Sequence, residues 1–154
     1  MNLSTHIAIG SAVGYLFRNP AAGFVAGVLS HHIIDQVPHS DGGSLNVNVK
    51  DFASDKRILA IVGFDLILMI IIAYFIYQLR GFHPAIIAGA IGGALPDLID
   101  NMPFWTPKLR KIYPFSAYHR FHEKFHFTIE EKRFFWLGIL SQILLIILAF
   151  EILI

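Results

Sequence analysis

Arg57–Leu79 reads RILAIVGFDLILMIIIAYFIYQL, a run long and apolar enough to mark a membrane helix. A helix needs about 20 apolar residues to cross a bilayer core, and here one acid, Asp65, is the only charge after Arg57. Phe134–Ile154 reads as a second span of the same kind. Outward from these lie three shorter, glycine-rich apolar stretches, Leu3–Phe17, Pro20–Val37 and Pro84–Ile99. Each carries small residues four apart (Gly10/Gly14, Gly23/Gly27, Gly89/Gly93), a spacing that lets helix backbones approach closely in lipid. The expectation is all-α: a polytopic membrane helical bundle of about five helices, forming one membrane domain over 1–154. The first stretch lacks the basic region and cleavage site of a signal peptide and reads as a retained helix. Asn19-Pro20 and Arg80–Pro84 read as tight turns.

Composition agrees. Hydrophobic residues make up 55% of the chain and charged residues 15%, with a mean hydropathy of +0.60. That excludes a disordered chain. A net charge of +1 without a basic tract argues against nucleic-acid binding. There is no cysteine, so a disulfide scaffold and thiolate metal sites are excluded. Any metal here must be held by His and carboxylates. Membrane lipid is the expected environment and a candidate substrate, and homo-oligomerisation is left open.

With five spans, the loops on the N-terminal side hold Lys50, Lys56, Arg57, Lys108, Arg110, Lys111, Arg120, Lys124, Lys132 and Arg133, against only Arg18 and Arg80 opposite. The positive-inside rule then predicts an inner (plasma) membrane protein with a cytoplasmic N-terminus. Of the eight histidines, all but His83 fall on that same side. Two polar loops lie there, about 40–56 and 103–133. Leu45–Val49 alternates apolar and polar and reads as a short strand or lid.

The chain repeats itself at an offset of 65, since Ser30–Pro38 aligns with Leu95–Pro103. His32 pairs with Asp97 and Asp35 with Asp100. The halves, about 3–39 and 58–103, read as a parallel hairpin repeat. Residues three apart share a helix face, so each copy presents two ligand groups together, and carboxylates in lipid are costly unless functional. His6, His32, Asp35, Asp97 and Asp100 are the first candidate metal ligands, and His39, Asp65, His119, His122 and His126 the second. His/Asp donors suit zinc, manganese or iron, and there are enough for two divalent ions, zinc foremost. Two ions can activate a water and steady the leaving oxygen of a phosphoester. Arg120 is a candidate phosphate clamp. His122-Glu123-x-x-His126 matches a metallopeptidase pattern with Glu123 as base.

The Ser4-Thr5-His6-x-x-x-Gly10 start and the Gly92–Asp100 stretch (GGALPDLID) resemble the membrane-bound metal-dependent hydrolases, with His119-Arg120 similar to that family's late His-Arg element. This resemblance implies a metal-dependent hydrolase of the inner membrane. The chain departs from the pattern in having its aspartates three apart rather than two. His32-x-x-Asp35-x-x-Pro38-His39 is similar to the metal-binding pattern of zinc-dependent phospholipase C. The favoured expectation is therefore hydrolysis of a phospholipid-type phosphoester at the cytoplasmic membrane surface. A metal-ion transporter, a non-catalytic metal-binding membrane protein and an intramembrane metalloprotease are the alternatives.

Overall fold

A computed structural model describes residues 1–45, 54–102 and 104–154. Among them are seven α-helices: α1 (Leu3–Phe17), α2 (Pro20–Ile34), α3 (Lys56–Arg80), α4 (Pro84–Asp100), α5 (Thr106–Leu109), α6 (Phe115–Phe125) and α7 (Phe135–Leu153). Single 3-10 turns lie at Gly42–Leu45 and Lys132–Phe134. The described residues form no strand, only an isolated parallel bridge between His39 and Thr128. The all-helical expectation holds. Residues 46–49 of the expected strand or lid, and the repeat's Pro103, lie outside the described residues.

Local chemistry sets the boundaries. Arg18 ends α1 in the left-handed region at φ 54°. The Asn19 side chain then accepts the Ala22 N–H, with Pro20 at the first helical position, where its missing donor is harmless. Asp55 caps α3 by accepting the Arg57 N–H at 2.8 Å. Gly81, at φ 63°, ends it, and Pro84 opens α4. Both expected turns are therefore present.

α1, α2 and α4 form a close-packed trio. A Cβ on Gly10 or Gly89 would strike the carbonyl oxygen of the other, and one on Gly27 would strike that of Gly89. The glycine stripes thus bring backbones together as their spacing predicts. Gly10 meets Gly89 and Gly93 while Gly14 meets Ala85 and Gly89, so α1 runs antiparallel to α4. Gly23 meets Ala85 and Gly27 meets Gly89 and Gly93, so α2 and α4 run parallel and end at the same level.

The two hairpins are not equivalent, however. α1 packs along both α2 and α4, whereas α3 packs on α1 and, lightly, α7. Its one interior glycine, Gly63, has nothing within 4 Å of where a Cβ would lie. Without small residues on its inner face, α3 cannot join the trio. Its far half is sealed where Ile72 and Ile76 bury with Ala8, Ala12, Ala149 and Leu153. Its near half stands off, and its outer face is bare: Phe64 is 65% and Ile70 70% exposed. By length and composition, α3 and the helix ending at Leu153 can each cross a membrane.

Candidate metal centre

The level at which α2 and α4 end and α1 begins gathers most of the buried polar side chains among the described residues. His6 comes from the first turn of α1, His31 and Asp35 from the end of α2, and Asp97 and Asp100 from the end of α4. The loop after α2 brings His39, and α6 with the residue after it brings His122 and His126. His6, His31, Asp35, His39, Asp97, Asp100 and His122 are all buried.

Asp35 is the hub. Its Oδ1 lies 3.2 Å from His6 Nε2, and its Oδ2 lies 3.1 Å from His31 Nε2, 3.3 Å from His122 Nε2 and 3.9 Å from His126 Nε2. Among the described residues, three groups could hold a metal ion: His31, Asp35, Asp97 and His122; Asp35, His39 and His126; and His31, His32 and His122. Within each, one ligand atom per residue lies within 4.8 Å of the others. The first two share Asp35, a carboxylate with two oxygens to offer.

Four imidazoles have the same arrangement. Nδ1 of His31 lies 2.8 Å from the Gly93 carbonyl, and Nδ1 of His39 lies 2.8 Å from that of Val37. His122 Nδ1 is 3.1 Å from Asp100 Oδ2, and His126 Nδ1 is 3.0 Å from Thr128 Oγ1. An acceptor at Nδ1 keeps the proton there and leaves the Nε2 lone pair for a metal. All four Nε2 atoms turn inward. His31 and His122 bring theirs to 3.2 Å, His39 and His126 to 3.3 Å. Two lone pairs at that distance repel unless a proton or cation lies between them.

Further observations show a demand for positive charge. Both ring nitrogens of His6 are buried without a hydrogen-bond partner, although Nε2 lies 3.2 Å from Asp35 Oδ1 and 3.5 Å from Asp97 Oδ2. The amino group of Met1 lies 3.1 Å from Asp35 Oδ1 and His126 Nε2 and 3.5 Å from Asp41 Oδ2, a cation inside the second donor set. The donors present therefore fit a metal. Burial opposes charge on His122, but the Asp100 and Asp35 carboxylates outweigh it and raise its pKa to about 9. Burial first, then the Met1 amino group, push His126 down to about 4. For Asp41, burial works against ionisation but is outweighed by the His39 hydrogen bond and the Met1 amino group, which hold it below the usual carboxylate range.

No family model, curated protein or solved structure matches this chain. The site must be read from its own geometry.

Of the expected ligands, His32, Asp35, His39, Asp97, His122 and His126 come together in the donor sets, and His6 lies against them. His32 is only half-buried and reaches one flank, 3.5 Å from the Tyr118 hydroxyl. Asp100 stands outside the sets, bracing His122, His119 and, through Oδ1 at 3.0 Å, Arg110 Nε. His119 follows it out, with Nδ1 on Asp100 at 3.0 Å. Asp65 has a different task. Its carboxylate accepts the N–H groups of Leu3 at 2.9 Å and Ser4 at 3.2 Å, capping α1 from α3. Arg120 is exposed, and among the described residues no contact ties it to the cluster. Glu123 is exposed at the rim of a cavity and belongs to no donor set.

Two members escaped the spacing argument. His31 joins two of the donor sets, because i to i+4 puts it over Asp35 as well as i to i+3 would. Its partner in the repeat alignment is Pro96, so the alignment hid it. Asp41 lies 3.3 Å from His39 Nε2, and only its nearness to His39 in sequence could have pointed to it. The last helix also contributes. Gln142 donates to the Ser40 carbonyl at 2.6 Å and accepts the Asn2 N–H at 2.8 Å, while Ser141 donates to the Pro38 carbonyl at 2.7 Å. α7 thus holds the loop that carries His39.

Proposed function

We propose that this chain is a five-span inner-membrane protein with its N-terminus in the cytoplasm, and a metal-dependent hydrolase acting on a phospholipid-type phosphoester at the membrane surface. The observation that carries the reading is the set of four imidazoles, each braced at Nδ1 and offering Nε2 around the shared Asp35 carboxylate. Two divalent ions, zinc foremost, would supply the charge to activate a water and steady a leaving oxygen. The protein's part is to hold the ligands in position. Asn101 Nδ2 donates to Asp97 Oδ1 at 2.6 Å, and Asp100 fixes the His122 ring. Such outer partners set the tautomer and orientation of a ligand. The resemblance to membrane-bound metal-dependent hydrolases supports the same reading.

The alternatives fare less well. His122 and His126 fall in different donor sets and Glu123 in none, whereas a peptidase of the His-Glu-x-x-His type needs both histidines on one ion. A transporter calls for ligands near mid-membrane. Asp65, the one acid deep in a span, is used as a helix cap.

Metal content per chain, measured by elemental mass spectrometry on protein purified without chelator, tests the proposal. About two equivalents are expected in wild type and fewer than one in Asp35→Asn, with phosphodiester hydrolysis falling in parallel. A wild-type chain that stays metal-free after zinc, manganese and iron are offered would overturn it.

A further inference from the structure

The near half of α3 stands away from the trio and leaves a cavity of about 600 Å³ on its α4 side. The cavity has two unlike ends. At one are Asp97, Asp100 and His126 of the cluster, with Arg110 beside them and Asp41, Glu123 and Glu130 also in the wall; at the other are Ile61, Val62, Leu66 and Met69 along one flank of α3, whose single acid, Asp65, is taken up by the Leu3 and Ser4 N–H groups. Ile61 to Met69 spans about 12 Å at 1.5 Å per residue. Arg110 is fixed at the mouth. Its Nε donates to Asp100 Oδ1 at 3.0 Å and its Nη2 to the Asp100 carbonyl at 2.6 Å. Nη1 makes no hydrogen bond among the described residues. This arginine, and not Arg120, is placed to meet an anion at the centre, and a guanidinium held from behind presents its remaining donor at little further entropic cost.

Resting on the hydrolase reading for what happens at the polar end, we infer that this cavity is a lipid seat. It takes one acyl chain of a phosphate-bearing membrane lipid, which enters sideways between α3 and α4 and places its phosphate between Arg110 and the metal centre. The volume falls in the range that encloses most of a ligand of a few hundred daltons, which suits one chain and a headgroup. A second cavity of about 600 Å³ lies between α3 and α7. It reaches Asp41 but none of Asp97, Asp100, His126 or Arg110, so it offers an apolar wall without the anion-binding end.

The test is native mass spectrometry of the metal-loaded protein in detergent, with palmitoyl lysophosphatidylglycerol, free palmitate and glycerol phosphate as separate probes. One lysophospholipid per chain is expected to be retained, with palmitate and glycerol phosphate each held far more weakly. Leu66→Trp, which fills the apolar end, and Arg110→Gln should each weaken retention about tenfold. Ile143→Trp, in the α7-side cavity, should leave it unchanged. Val62→Phe serves as a second filling variant, and metal content and helicity confirm that each variant is folded. Retention indifferent to both filling variants, or lost in Ile143→Trp, overturns the inference, as does equal retention of palmitate. Because retention needs no turnover, a retained lipid without hydrolysis refutes the hydrolase reading and leaves the lipid seat standing.

Discussion

Asp35 and His122 show how charge is shared around the centre. His122 lies between two carboxylates, Nδ1 on Asp100 and Nε2 on Asp35, and its pKa near 9 means that it carries both protons at neutral pH until a metal takes Nε2. His126, held near 4, is already neutral there. A metal entering the first donor set must displace one proton from His122, and a ligand that must deprotonate makes affinity depend on pH. Affinity is therefore expected to rise about tenfold per pH unit from 7 towards 9 and to level off above it. Isothermal titration of zinc in buffers of different ionisation enthalpy checks both the slope and the proton released. A flat profile across that interval would contradict this picture of His122. The two donor sets should also separate by mutation. His126→Ala removes a member of the second set only, so metal content is expected to fall by about one equivalent, against the near-complete loss in Asp35→Asn.

Among the elements, α1, α2 and α4 are held at backbone contact, and the centre depends on it. Asp97 and Asp35 face each other only because α2 and α4 run parallel on Gly23, Gly27 and Gly89. Gly89→Leu would drive a side chain into the Gly10 carbonyl. An overpacked core loses about 1–3 kcal/mol, so this variant should melt earlier and bind less metal. Gly63→Leu on α3, where nothing lies within 4 Å, should melt within experimental error of wild type. Thermal unfolding in detergent, followed by circular dichroism, compares the pair, and equal destabilisation of both would refute the packing argument. α7 acts from the other side. Gly138 lets the last helix pass against His39 and Ser40, and Gln142 and Ser141 tie that loop down.

For the whole molecule, charge, donors and cavities share one end. Arg18 and Arg80 lie at the opposite end from the cluster, and the exposed outer faces of α3 and α7 between them are apolar. The chain has no cysteine, so single introduced thiols report topology without background. With intact cells and an impermeant maleimide, Phe82→Cys is expected to label, and Lys111→Cys only after permeabilisation. The reverse pattern would invert the proposed orientation.

Composition and short-range spacing specify the helical class, the two long apolar helices, the turns at Asn19-Pro20 and Arg80–Pro84, the glycine contacts, and that His and Asp must be the metal-capable groups. These follow from composition and from interactions within a few residues, which spacing records. Which donors meet is set by the packing of the helices. It added His31 beside His32, sent Asp100 and His119 to an outer position, turned Asp65 into a cap for α1 and bound Arg110, not Arg120, to Asp100 beside the cluster. It also broke the symmetry of the repeat, because α3 lacks the small residues that let α1 close on α4. Each of these outcomes depends on the rotation of one helix against another. That rotation is fixed by contacts between residues about 60 to 90 positions apart, and no local pattern encodes it.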